Sequence, residues 1–140
     1  MLIQLLYSSK ASMDLSPAEL TAILDKSVAN NQANKVTGLL LYRDGCFLQL
    51  LEGEQAMVEA TFERISQDAR HHQLESLFST ECKQREFACW YMGFHTPQPE
   101  ALARLPQFAP VFDPAFDVSQ LVIAPQDGLA MLKAFAELPG

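Results

Sequence analysis

The chain has 140 residues, 49% of them hydrophobic, and a formal net charge of −7. That size and apolar content suit one compact core and exclude a disordered chain. The acidic balance, with ten Lys and Arg residues scattered along the chain, argues against nucleic acid or an anionic membrane surface as the main partner.

Leu2–Ser9 reads as a first strand, with Gln4 and Ser8 alternating with Ile3, Leu5 and Tyr7. The opening MLIQLLYSS has no basic region and too short an apolar run for a signal peptide. Next comes a helix with a clear start. Ser16 is a good N-cap, Pro17 suits the first helical position and Glu19 completes a capping box. Leu15 and Leu20 stand where a hydrophobic staple packs. The helix is expected over Pro17–Asn31, with Leu20, Ile23, Leu24 and Val28 on its apolar face.

Val36–Tyr42 and Cys46–Leu51 are two strands, and the Asp44–Gly45 pair between them is a strong hairpin signal. A second helix is expected over Gln55–Ala69, with Met57, Val58, Phe62 and Ile65 facing inward. Leu74–Cys82 and Phe87–Phe94 read as two further strands joined by a charged turn. Residues 95–118 are proline-punctuated and irregular, and a last helix is expected over Pro125–Leu138.

The order β-α-β-β-α-β-β implies an α+β, ferredoxin-like sheet with two helices on one face. The third strand is apolar at both parities, with Phe47 and Leu51 on one side and Cys46, Leu48 and Leu50 on the other. Its second face therefore also needs a cover, which the C-terminal extension, helix included, is expected to supply. The expected division is residues 1–95 as the domain and 96–140 as that extension.

Cys46, Cys82 and Cys89 are odd in number and match no zinc or CxxC spacing, so free thiols in a reducing compartment are expected. No stretch approaches the roughly 20 apolar residues that span a bilayer. Together these make a soluble cytoplasmic protein the expectation.

Several polar residues stand where apolar ones belong. Gln49 shares a strand parity with Phe47 and Leu51, and a buried amide without partners costs about 1–3 kcal/mol. Tyr7 shares one with Ile3 and Leu5, and Asn31 follows Leu20, Leu24 and Ser27 at helical spacing. Arg64 and Asp68 are four apart on the second helix. Each has an ordinary explanation when read alone. Gln49 can bond to backbone, Tyr7 can reach the surface, Asn31 or Asn30 can end its helix, and Arg64 with Asp68 can form a surface pair. Trp90 and Met92, on one strand face, can be core. A flat heteroaromatic ligand between the helices would satisfy the polar groups together. If the first and third strands are neighbours, Tyr7 and Gln49 sit side by side beneath it, with Asn31 and Arg64 approaching from the helices and Ile23 and Ile65 stacking on the ring.

The segments LLYSS, ILDKSVANN, VTGLLLYRDGCFLQLLEG, FERISQDARHH and FACWYMGF, in that order, resemble the BLUF domains, blue-light sensors that use a flavin. The resemblance covers roughly residues 1–95 and agrees with the βαββαββ order. It implies that Tyr7 is the photoactive tyrosine and Gln49 the switching glutamine between that phenol and the flavin. It implies that Asn31, with Asn30 beside it, bonds the flavin carbonyls and that Ile23 and Ile65 flank the ring. Arg64 and Asp68 become polar flavin contacts, and His71 or His72 lies near the exposed side. Trp90 and Met92 become the strand pair that answers the glutamine, taken to lie on a strand next to Gln49.

The implied cofactor is FAD, with FMN or riboflavin as options. The implied chemistry is light-driven electron and proton transfer from Tyr7, rearrangement of Gln49 and a red-shifted flavin. The short chain resembles stand-alone members, for which a homo-oligomer and a separate downstream signalling protein are expected. No enzyme activity and no metal site are expected. The rival readings are an acylphosphatase-type hydrolase, for which no Gly-rich anion loop is seen, and a ligandless interaction module.

Overall fold

In the computed structural model the residues described are 1–11, 16–68, 71–85, 93–95 and 112. They form β1 (Leu2–Ala11), α1 (Pro17–Asn34), β2 (Thr37–Arg43), β3 (Cys46–Glu54), α2 (Gln55–Ser66), β4 (His71–Glu81) and β5 (Gly93–His95). The strands make one five-stranded sheet in the order β4-β1-β3-β2-β5. β1 runs antiparallel to β3 and β4, and β2 antiparallel to β3, while β5 joins β2 in parallel. The expected α+β fold is present. Residues 12–15, 69–70, 86–92 and, apart from Phe112, the extension, with Leu15, Cys89, Trp90, Met92 and the expected Pro125–Leu138 helix, lie outside the described residues.

The start of α1 follows from its sequence. Ser16 accepts from the Glu19 amide and the Glu19 carboxylate accepts in return from the Ser16 amide, so two of the helix's unsatisfied donors are paired. Its end does not fall at Asn30 or Asn31. The helix runs on to Asn34, and Lys35 caps it in the left-handed conformation, φ 54°. The Asn31 carbonyl accepts from the Val36 amide at 2.9 Å, which turns the chain into β2.

The β2–β3 hairpin turns at Asp44 and Gly45, whose φ values of 51° and 80° are both positive, as a type I′ turn requires. Gly38 answers a constraint the sequence did not flag. A Cβ there would stand 1.9 Å from the Leu50 carbonyl oxygen, at φ 153°. No other residue lets the two strands approach this closely.

One sheet face carries Ile3, Leu5, Tyr7, Leu40, Phe47 and Leu51 beneath the helices, packed with Val58, Leu20, Leu24, Val28, Phe62 and Ile65. α2 is shorter than expected and its inner stripe is Val58, Thr61, Phe62 and Ile65. Met57 is 40% exposed, because it falls one position off that stripe.

The opposite face is buried too: Leu6, Leu39, Leu41, Leu48 and Leu50 are all fully covered. It also holds a polar row. Thr37 and Gln4 are register partners of Glu52, which is itself 0% exposed. Gln4 Nε2 donates to Glu52 Oε2 at 2.9 Å and Thr37 Oγ1 donates to Glu52 Oε1 at 3.2 Å. Arg85 Nη1 donates to Thr37 Oγ1 at 3.0 Å and to the Glu52 main-chain carbonyl at 2.9 Å. This satisfied network makes burial of a carboxylate tolerable.

Candidate functional site

Between the sheet and its two helices lies a cavity of about 440 Å³. Its floor is Tyr7 on β1, Gln49 on β3 and Leu40 on β2. Tyr7 pairs with Gln49 and Gln49 with Leu40 in antiparallel register, so the three side chains share one face in one row.

One wall is α1, through Ile23, Lys26, Ser27 and Asn30, which recur at the spacing of a single helix face. The other is the end of α2 and the chain beyond it, through Arg64, Ile65, Gln67 and Asp68.

At the floor, the Tyr7 hydroxyl donates to Gln49 Oε1. Both residues are buried, Tyr7 completely and Gln49 at 4% exposure. The Tyr7 ring meets the Phe62 ring edge-on, with centroids 5.2 Å apart and planes at 69°. Burial disfavours the phenolate and pushes the Tyr7 pKa far above its usual range. The phenol is therefore a neutral hydrogen-bond donor whose proton already points at the amide.

The expected residues are placed as follows. Tyr7, Gln49, Ile23, Asn30, Arg64, Ile65 and Asp68 come together around the cavity. Asn31 is buried at 2% exposure but does not line it. Arg64 Nη2 donates to Thr61 Oγ1 at 3.5 Å, a weak bond that leaves its head near the rim. His71 opens β4 opposite Ala11. Trp90 and Met92 are outside the described residues. The described part of β5, Gly93–His95, pairs with β2, which lies between it and β3, so these three residues are not next to Gln49.

Leu40, Lys26, Ser27 and Gln67 were not singled out from the sequence as site residues. The α1 pair had a signal, since Lys26 and Ser27 stand three and four positions after Ile23. Leu40 had none, because a leucine in an apolar strand says nothing of its neighbours.

These residues fit a flavin. The volume lies within the usual range for small-molecule sites, about 300–1,000 Å³. Ile23, Ile65 and Leu40 offer apolar surface to a flat ring, Gln49 and Asn30 offer amides to its polar edge, and Lys26 and Arg64 supply cations for an anionic tail.

Comparison with known proteins points the same way. The family model described as BLUF, sensors of blue-light using FAD, matches residues 2–93. The photoactivated adenylate cyclase subunit alpha of Euglena gracilis is 35% identical over 86 residues, which is 61% of this chain and 8% of that protein. The chain thus spans under a tenth of the length of that relative. BlsA in its photo-activated state is similar over 99% of this chain and 97% of its own, with a TM-score of 0.81 and 28% identity. BlrB, a BLUF protein in its dark state, is similar over 98% of this chain and 97% of its own, with a TM-score of 0.78 and 26% identity.

Proposed function

The chain belongs to the BLUF family, sensors of blue light using FAD, and we propose that its Tyr7–Gln49 pair is the switch that light operates. It is a flavin-binding blue-light photoreceptor, and the matched region is a sensor domain rather than an enzyme. The hydrolase and the ligandless module are not favoured. The observation that carries the switch is the hydrogen bond from Tyr7 to Gln49 Oε1 on the floor of the cavity between the helices.

Bound there, the flavin supplies blue-light absorption and an acceptor for one electron and one proton. Ile23 and Ile65 would flank its ring, Asn30 would serve its carbonyls, and Asp68 would lie toward its polar side, while Asn31, which does not line the cavity, would have to turn its amide inward to join them; the resemblance adds His71 or His72 at that side. Lys26 and Arg64 serve its tail, which favours a phosphorylated flavin, FAD first, over riboflavin.

Tyr7 is the donor. It would give up an electron and then a proton, the proton leaving along the hydrogen bond to Gln49 Oε1. Gln49 carries a donor and an acceptor on one amide, so it can pass the proton on and change which end faces Tyr7 by turning or tautomerising. The electron and proton then return to Tyr7, so donor and acceptor end in their starting redox states, and the rearranged amide would offer a new donor to the ligand's edge, which would move the absorption to the red. Trp90 and Met92 answer the amide. The signal leaves as an altered protein–protein contact, made by a homo-oligomer with a separate downstream protein. Residues 1–95 form the sensor, and 96–140 an extension to it.

The experiment is an absorption spectrum of the purified full chain before and after blue light, followed through recovery in the dark. A flavin spectrum with a small reversible red shift is expected. A protein that stays colourless after FAD, FMN and riboflavin are added overturns the reading.

A further inference from the structure

We propose that Leu40 is the positioning residue through which the Gln49 amide acts on β5. The proposal rests on the Tyr7–Gln49 switch and goes beyond it.

The register places four residues in one row across four strands. Tyr7 on β1 pairs with Gln49 on β3, Gln49 with Leu40 on β2, and Leu40 with Phe94 on β5. Gln49 therefore has a different neighbour on each flank. Tyr7 holds Oε1 by a hydrogen bond. Leu40 offers no hydrogen bond at all, only volume.

Directly opposed residues of an antiparallel pair have Cβ atoms about 4.5–5.5 Å apart. At that range the Leu40 side chain bounds the space through which the amide must swing. Leu40 lines the cavity floor, yet is only 4% exposed and packs in the cluster with Tyr7, Phe47 and Leu51. It cannot yield toward solvent. Close-packed interiors transmit displacement rather than absorb it.

Two consequences follow. Leu40 sets part of the barrier to amide rearrangement, and it presses the rearranged state onto the next strand. That strand is β5, at the edge of the sheet, which has no pairing with β3 among the described residues. Gln49 thus reaches β5 across β2, and a coupling claim needs such a physical connection between two states.

The test uses the full chain loaded with FAD, as parent, Leu40→Ala, Leu40→Val and Leu40→Met. Three quantities are read: the light-induced red shift, the rate of dark recovery, and the light-minus-dark difference in hydrogen exchange of the amides at 93–95. Leu40→Ala should recover about tenfold faster, equivalent to about 1.4 kcal/mol off the barrier, and lose the exchange difference, both read on the FAD-loaded fraction whatever the size of its red shift. Leu40→Val should move the same way by less, and it carries the test if the alanine protein does not fold. Leu40→Met, close to leucine in volume, should restore both. A purely structural role would lower Tm without changing recovery or exchange. Truncated variants that recover within about twofold of the parent and keep its exchange difference overturn the proposal, since a real change of barrier scales exponentially. A parent that shifts without any exchange difference at 93–95 overturns the transmission. A parent with no red shift overturns the Tyr7–Gln49 switch itself.

Discussion

Removing the Tyr7 hydroxyl separates the hydrogen bond from the packing around it. In Tyr7→Phe the ring keeps its edge contact with Phe62, and the volume beneath the cavity hardly changes. What is lost is the donor to Gln49 Oε1 at a site where both residues are buried. Leaving that amide oxygen without its donor costs about 1–3 kcal/mol. In a chain of 140 residues 1 kcal/mol moves Tm by about 3 °C, so a fall of about 3–10 °C is expected. Gln49→Leu strands the phenol instead and should cost a similar amount. The double variant, Tyr7→Phe with Gln49→Leu, removes both ends of the bond, and should be no less stable than either single variant. Thermal melts at one saturating FAD concentration measure all three, since ligand binding itself raises Tm. Each variant should stay yellow and lack the normal red shift. A Tyr7→Phe protein with a normal shift refutes the donor role. Strictly additive stability losses refute the idea that the two groups satisfy each other.

Burial raises the Tyr7 pKa, so its contribution to stability is fully present below the unfolded value of about 10 and is lost as pH rises beyond it, by about 1.4 kcal/mol per pH unit. Between about pH 10 and 11 the urea midpoint of the parent should fall more than that of Tyr7→Phe; equal slopes would show that Tyr7 does not govern alkaline unfolding. Gly38→Ala puts a Cβ 1.9 Å from the Leu50 carbonyl oxygen. The β2–β3 pair must then part, so a loss above about 3 kcal/mol or failure to fold is expected, and a stable, yellow protein would contradict it. On the second sheet face, Glu52→Ala leaves the Gln4 and Thr37 donors without their acceptor and should cost about 2–6 kcal/mol in denaturant melts, against less than half of that for Glu52→Gln, which keeps one acceptor. Equal losses would mean that the network counts only as packing. Lys26→Gln and Arg64→Gln remove cations from the exposed ends of the two cavity walls. Each should weaken FMN by about threefold, the effect of an exposed charge worth about 0.5–1 kcal/mol, and leave riboflavin unchanged in fluorescence titrations. Equal weakening of both ligands would remove the assignment to a phosphate.

The parts of this molecule that were legible in its sequence are those set by local chemistry. Ser16, Pro17 and Glu19 announce the start of α1, and the capping box forms as written. Asp44 and Gly45 announce the hairpin, and both adopt positive φ. The end of α1 was not legible, because Asn30, Asn31 and Asn34 all suit a helix terminus and the stop falls instead on Lys35 in the left-handed conformation. Tertiary packing makes that choice: the Val36 amide must bond the Asn31 carbonyl for the chain to enter β2. Met57 was misplaced for a related reason. Four apolar residues on a short helix fit two adjacent stripes, and burial of Val58 beside Thr61 decides between them.

The site divides along the same line. Polar residues on apolar strands advertise themselves, since an unpaired buried amide or phenol is too costly to be idle, and this is why Tyr7 and Gln49 stood out. Their adjacency then followed from the topology, which brings β1 beside β3. Leu40 has no such signal. Its position beside Gln49 exists only once β2 is paired with β3, and its position beside Phe94 only once β5 has added in parallel at the far edge. For Gly93–His95 that intervening strand changes the physics of the output. A direct neighbour of Gln49 could exchange hydrogen bonds with it, whereas Gly93–His95, one strand further away, stand across Leu40 from it. If the light signal is written in polar chemistry at Gln49, apolar packing at Leu40 is the proposed route by which it reaches residues 93–95.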